Sequence, residues 1–231
     1  MSERDEWTRR GVLAAGAGSL LALPALAAPQ RPGWDPDEGV TAPEDLMKEH
    51  GVLNRCLLIY EEGLRRLGAR QEVAPEVFSH TAGLVRHFVE EYHEKNEENF
   101  IFPVFERAKK LTDLVETLKT QHKAGRVVTA RILALSQPDR FRNSADREQL
   151  VASVHAFLRM YRPHEAREDT VLFPALRTLL SPRQVQSLGD RMEGQEKKVL
   201  GDEGFERSVD QVAIIEKQLG IYDLKQFTPR T

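Results

Sequence analysis

The sequence predicts an all-α fold, an up-down four-helix bundle with additional C-terminal helices, and three observations carry that expectation. Apolar residues return at helical spacing through four long segments. No segment alternates apolar and polar residues between hairpin turns, as a strand would. Glycine and proline stand where those segments should start and stop. The 231 residues, 40% hydrophobic and 30% charged, suffice for one substantial core and are too few for two large ones. A net charge of −3 gives no bulk electrostatic reason to expect nucleic acid or an acidic membrane surface, so the expected partner is small.

Taken in chain order, the first element is not part of the fold. A charged start, Glu3 to Arg10, leads into an uncharged run from Gly11 to Leu26. Thr8-Arg9-Arg10-Gly11-Val12-Leu13 has the form of a twin-arginine export motif, and Ala25-Leu26-Ala27 that of a cleavage site. Residues 1–27 are therefore expected to be a signal peptide that sends the folded protein to the periplasm, with residues 28–40 a Pro/Gly-rich linker. The apolar run is shorter than the roughly 20 residues of a stable membrane span. Residues 41–180 form the predicted bundle. Its first helix runs from about Pro43 to Leu67, capped by Thr41 and closed by Gly68, with Leu46, Met47, His50, Leu53, Leu57 and Leu64 on one stripe. The second runs from Pro75 to about Lys110 and aligns Phe78, Ala82, Val85, Val89, His93, Glu97, Phe100 and Val104. The third, near Leu111 to Leu135, aligns Leu111, Leu114, Val115, Leu118, His122, Thr129 and Ile132, and a loop from Ser136 to Asn143 follows it. The fourth starts near Ser144 and carries Leu150, Val154, Phe157, Tyr161, His164, Glu168, Val171 and Leu172 before Pro174, with Pro163 expected to kink it. Within residues 181–231, amphipathic segments at Pro182–Leu200 and Glu206–Leu219 should pack outside the bundle or make a homodimer.

The most informative feature is an internal repeat. His93-Glu94-Lys95-Asn96-Glu97 through Phe102-Pro103 matches His164-Glu165-Ala166-Arg167-Glu168 through Phe173-Pro174, 71 residues later. In each HExxE the histidine and the second glutamate stand at i and i+4, so both project from one helix face. One inward histidine on each of the other two helices brings the sum to four His and two Glu. Imidazole and carboxylate suit divalent iron or manganese, and a carboxylate can bridge two cations. Such groups on otherwise apolar faces would be costly to bury without a cation.

Over roughly Asp45 to Arg177 these motifs resemble the hemerythrin-like, or HHE cation-binding, family. The resemblance implies two iron ions held by His50, His93, Glu97, His122, His164 and Glu168, with Glu97 and Glu168 as bridges; manganese and zinc stay open. The sequence departs from the oxygen-carrying hemerythrins in two places. Their HxxxH pair on the third helix is here His122 and Arg126, and arginine cannot ligate, which leaves one iron with an open or water-filled position. Their second bridging acid corresponds to Asp169, with Glu168 competing for the role and favoured by symmetry with Glu97; Glu94 is a candidate substitute ligand. The expected function is binding or sensing of oxygen or nitric oxide rather than catalysis. A di-iron oxidase or peroxidase acting on peroxide, an iron-handling protein and a metal-free helical interaction module are the alternatives. A ferritin-like site would need a second Glu-x-x-His beside Glu90/His93, and an HExxH zinc protease motif is absent. His80, His87 and His155 receive no role, Cys56 reads as a small core residue, Phe100, Phe102 and Phe173 read as core, and Tyr60 and Tyr161 are left between packing and the metals.

Overall fold

The computed structural model describes residues 41–229, and the expected signal peptide and linker lie outside these described residues. Helix α1 is Ala42–Gly68, opened by a capping box in which Thr41 and Glu44 satisfy each other's end of the first turn. Helix α2 begins at Pro75–Leu84 and continues unbroken to Phe102–Ala108 (residues 75–108). Lys109 and Leu111, both at positive φ, turn the chain into α3, Thr112–Leu135. Leu111 is thereby exposed and not part of the apolar stripe. The expected loop after α3 contains a one-turn helix, α4, Pro138–Arg142. Helix α5 starts at Ser144–Arg167 under an Asn143 cap, passes through Pro163, and continues beyond Pro174 to Phe173–Leu179. Helices α6 (Pro182–Val199) and α7 (Gly204–Gln218) complete the chain. The described residues contain no strand, and none of their helices is long and apolar enough to cross a membrane.

Helix α1 packs on α2 and α5, and α3 packs on the same two helices, which closes a four-helix bundle. His50 and His122 lie toward the starts of α1 and α3, while His93 and His164 lie toward the ends of α2 and α5, as up-down connectivity requires. Helices α6 and α7 lie against α1 and α2 of the same chain. Arg55 holds α7 through a forked pair with the buried Glu216 at 3.0 and 2.6 Å.

The apolar interior is split in two. One cluster contains Leu53, Tyr60, Phe78, Phe88 and Phe157; the other contains Leu46, Ile101, Phe102, Phe105, Phe173 and Leu176. Between them lies a buried polar layer that includes His50, His93, Glu97, His122, His164 and Glu168. Tyr60 packs between Phe78 and Phe157 in the first cluster, and Cys56 is fully buried, its thiol pushed up to about 12 by burial.

Proline shapes the backbone at that layer. In each repeat the helix widens to i→i+5 bonding, so the Phe102 N–H reaches the Glu97 carbonyl and the Phe173 N–H that of Glu168. The next residues, Pro103 and Pro174, have no N–H to continue an ordinary ladder. The wider turns carry about one extra residue and slip the apolar phase. Ile101 and Leu172 are therefore buried, while Phe100 and Val171, expected in phase, sit half-buried at the rim, Phe100 under the Arg191 guanidinium.

The close approach of α1 and α2 depends on Gly63, where a Cβ would stand 2.7 Å from the Phe78 ring. Gly63→Ala should lower the free energy of unfolding in urea by about 1–2 kcal/mol, overpacking outweighing the gain in helix propensity. An unchanged or higher midpoint would contradict this packing.

Candidate metal centre

The bundle brings all six sequence-selected residues into one cluster. Glu97, Glu168 and His122 are 0% exposed, and His50, His93 and His164 at most 4%. Each imidazole turns Nε2 toward the central carboxylates: His93 and His122 stand 3.7 and 3.4 Å from Glu97 Oε2, and His50 and His164 stand 3.4 and 3.2 Å from Glu168 Oε2. Donor atoms of His122, His164, Glu97 and Glu168 all lie within 4.8 Å of one another, and so do those of His50, His93 and Glu97. The two carboxylates thus lie between two histidine pairs, His50/His93 and His122/His164, with ring centroids 4.8 and 5.1 Å apart.

The opposite nitrogen of every ring is held. His50 Nδ1 meets Asp169 at 2.7 Å, His93 Nδ1 meets Glu49 at 2.6 Å, His122 Nδ1 meets Glu98 at 3.2 Å, and His164 Nδ1 meets Gln121 at 2.9 Å. An acceptor at Nδ1 fixes the tautomer with the proton there and leaves the Nε2 lone pair facing inward. Phe173 stacks on His50 and Phe102 on His122, which gives the Phe-Pro of each repeat a positioning role beyond core packing.

The inner atoms have no hydrogen-bond partners. His50 Nε2, His122 Nε2 and all four carboxylate oxygens of Glu97 and Glu168 are buried without one. Leaving such groups unpaired in a dry interior costs several kcal/mol unless a cation compensates. Their spacing fits a cation: two donors each about 2.1 Å from one ion stand about 3.0 Å apart at right angles and about 3.4 Å at the tetrahedral angle. The site residues therefore fit a pair of cations, one at each histidine pair, with Glu97 and Glu168 able to reach both.

Two of the expected alternatives take other roles. Both oxygens of Glu94 are engaged, one accepting from the Tyr161 hydroxyl at 2.8 Å and the other from Arg126 at 2.7 Å, while Glu94, Glu98 and His122 also offer donor atoms within 4.8 Å of one another, apart from the inner group of Glu97 and Glu168. Asp169 serves the Nδ1 side of His50 while Glu168 occupies the interior. Tyr161 lies beside His164, ring centroids 5.6 Å apart, in space that Gly125 leaves open. The sequence reading missed Glu49, Glu98 and Gln121. The available signal was positional: Glu49 and Gln121 directly precede His50 and His122, and Glu98 matches Asp169 in the repeat.

Charge in the cage is uneven. Burial opposes protonation of His122, but the Glu97 and Glu98 carboxylates outweigh it and push the imidazole up to about 10. Burial is likewise overcome at His50, which Asp169 and Glu168 raise well above its usual value. His93 is held down at about 4, chiefly by burial. His122 and His50 are thus favoured in their charged form when no cation competes, and a ligating Nε2 must shed that proton. Loading the metal-free protein at pH 7 should release protons from these rings, and apparent affinity should rise with pH. Titration with a divalent cation in weakly buffered indicator solution checks this; cation uptake without proton release would contradict it.

Comparison with known proteins agrees with this geometry. A family model described as the hemerythrin HHE cation binding domain matches residues 41–176 and again 113–198. The second match begins 72 positions after the first, the same interval as from His50 to His122. Uncharacterized proteins of Mycobacterium bovis and Mycobacterium tuberculosis are 45% identical over 225 residues, covering 94% of this chain and 88% of their own. No solved structure matches.

Proposed function

We infer the function from one premise: the chain belongs to the hemerythrin HHE cation-binding family. It is a metal-binding protein, and we propose that it holds two iron ions and uses them to bind or sense a diatomic ligand, oxygen or nitric oxide. The observation that carries this reading is the convergence of four imidazole Nε2 atoms on two buried carboxylates whose oxygens lack hydrogen-bond partners. Iron bound there would supply reversible redox chemistry and coordination of small ligands. The chain's own part is to keep four rings oriented, to place two anions between the histidine pairs, and to exclude bulk water by the apolar clusters on either side.

A specific observation favours a second reading, peroxide or oxygen reduction. Arg126 takes the place of a histidine ligand of the oxygen carriers and is tied to Glu94 and Glu98, so the His122/His164 position lacks the extra histidine that those proteins have there. The Tyr161 hydroxyl, bonded to Glu94 beside His164, is placed to hold a proton near that position. Peroxide turnover no faster than that of free iron would remove this reading.

We also propose export to the periplasm by the twin-arginine route. The support is the Thr8-Arg9-Arg10-Gly11-Val12-Leu13 motif ahead of an uncharged run. Replacing both Arg9 and Arg10 by lysine should keep the protein in the cytoplasmic fraction; unimpaired export would rule the route out.

Protein produced in iron-replete medium should carry about two irons per chain. His122→Ala should lose about half of that metal, and nitric oxide should change the visible spectrum of the anaerobic reduced protein with saturation. Unchanged iron in the variant would remove His122 from the centre, and a spectrum indifferent to both gases would remove the diatomic ligand.

A further inference from the structure

The centre is built twice. Glu49, His50 and Asn54 of α1 correspond to Gln121, His122 and Arg126 of α3, each 72 positions on. His93, Glu94, Glu97, Glu98 and Phe102 of α2 correspond to His164, Glu165, Glu168, Asp169 and Phe173 of α5, each 71 positions on. Contacts follow the same correspondence. The residue before each single histidine takes the Nδ1 of the repeat histidine in its own half, and the acid after each HExxE takes the Nδ1 of the single histidine in the other half. Each Phe before proline stacks on that same opposite histidine. Where the halves agree, each supplies two histidines and one glutamate to the interior.

In the partners behind the four rings, the differences run the same way. His93 is backed by a carboxylate, Glu49, at 2.6 Å, whereas its counterpart His164 is backed by the neutral amide of Gln121 at 2.9 Å. His50 is backed by Asp169 at 2.7 Å, whereas its counterpart His122 is backed by Glu98 at the longer 3.2 Å. Among the described residues no lysine or arginine pairs with Asp169 or Glu49, while Glu98 is shared with both Lys95 and Arg126. Arg126 adds a positive charge where the first half has the neutral Asn54, whose amide is spent on the His50 carbonyl at 3.1 Å.

A close carboxyl acceptor at Nδ1 fixes the ligating tautomer and the orientation of the ring; a neutral amide, or a carboxylate already shared with two cations, does so less. Resting on the di-cation reading above, we propose that the two positions are unequal by construction. The His50/His93 position fills first and holds its cation tightly; the His122/His164 position fills last, binds more weakly and exchanges first. Each histidine pair faces both Glu97 and Glu168, and the outer partners set the order.

The test uses the metal-free full chain titrated calorimetrically with zinc alone, an ion without redox chemistry of its own. Two binding steps should appear, the second at least about tenfold weaker, within the range that outer partners command. Gln121→Glu, which gives the second half the partner of the first, should tighten the weak step by about tenfold and leave the strong step within about twofold. Glu49→Gln should do the reverse, loosening the strong step. His122→Ala should abolish the weak step and retain the strong one, with circular dichroism showing an intact helical fold. Two equal steps, or a Gln121→Glu protein whose strong step alone moves, would overturn the inequality while leaving the two-cation reading in place. A chain that binds no zinc, manganese or ferrous iron at all would overturn that reading and this inference with it.

Discussion

Six ionisable side chains buried at one level of a helical bundle are the constraint on which the structure turns. Two carboxylates with four unpaired oxygens, ringed by imidazoles, could not remain in a dry interior on packing alone. The bundle answers with geometry: two apolar clusters close off the layer, and an acceptor at each Nδ1 aims each Nε2 inward. The outer partners are therefore as much part of the centre as the inner donors. Removing one frees a ring to rotate, and the ring's donor then no longer converges with the others.

The backbone is adapted to the same task. Pro103 and Pro174 interrupt the helical ladder six residues past Glu97 and Glu168, and the widened turns before them present Phe102 and Phe173 to the opposite histidines. The second half repeats this arrangement. The repeat thus couples a covalent feature of proline to the orientation of an imidazole on another helix. Helices α6 and α7 cover the α1/α2 side, with Glu216 anchored by Arg55.

Much of this was legible in the sequence, because helix faces and repeats are written in residue spacing. The four long helices, the inward face of each and the convergence of His50, His93, Glu97, His122, His164 and Glu168 all follow from periods of three and four and from HExxE occurring twice. Phe100 and Val171 were misplaced because a straight 3.6-residue period cannot register the extra residue of a widened turn. Helix α5 outlasts Pro174 because that widened turn removes the clash that ordinarily ends a helix. Glu49, Glu98 and Gln121 escaped notice because partners across helices have no fixed sequence spacing. Glu94 was a candidate substitute ligand from its adjacency to His93; successive helical residues point about 100° apart, and its oxygens meet Tyr161 and Arg126.

The central claim is that these residues hold two cations, one at each histidine pair, bridged by Glu97 and Glu168. Anomalous diffraction from crystals of the iron-loaded full chain, collected on both sides of the iron absorption edge, tests it most directly. Two peaks should appear, one between His50 and His93 and one between His122 and His164, with the carboxylates of Glu97 and Glu168 between them. A single peak elsewhere, or none in protein shown to contain iron, would contradict it.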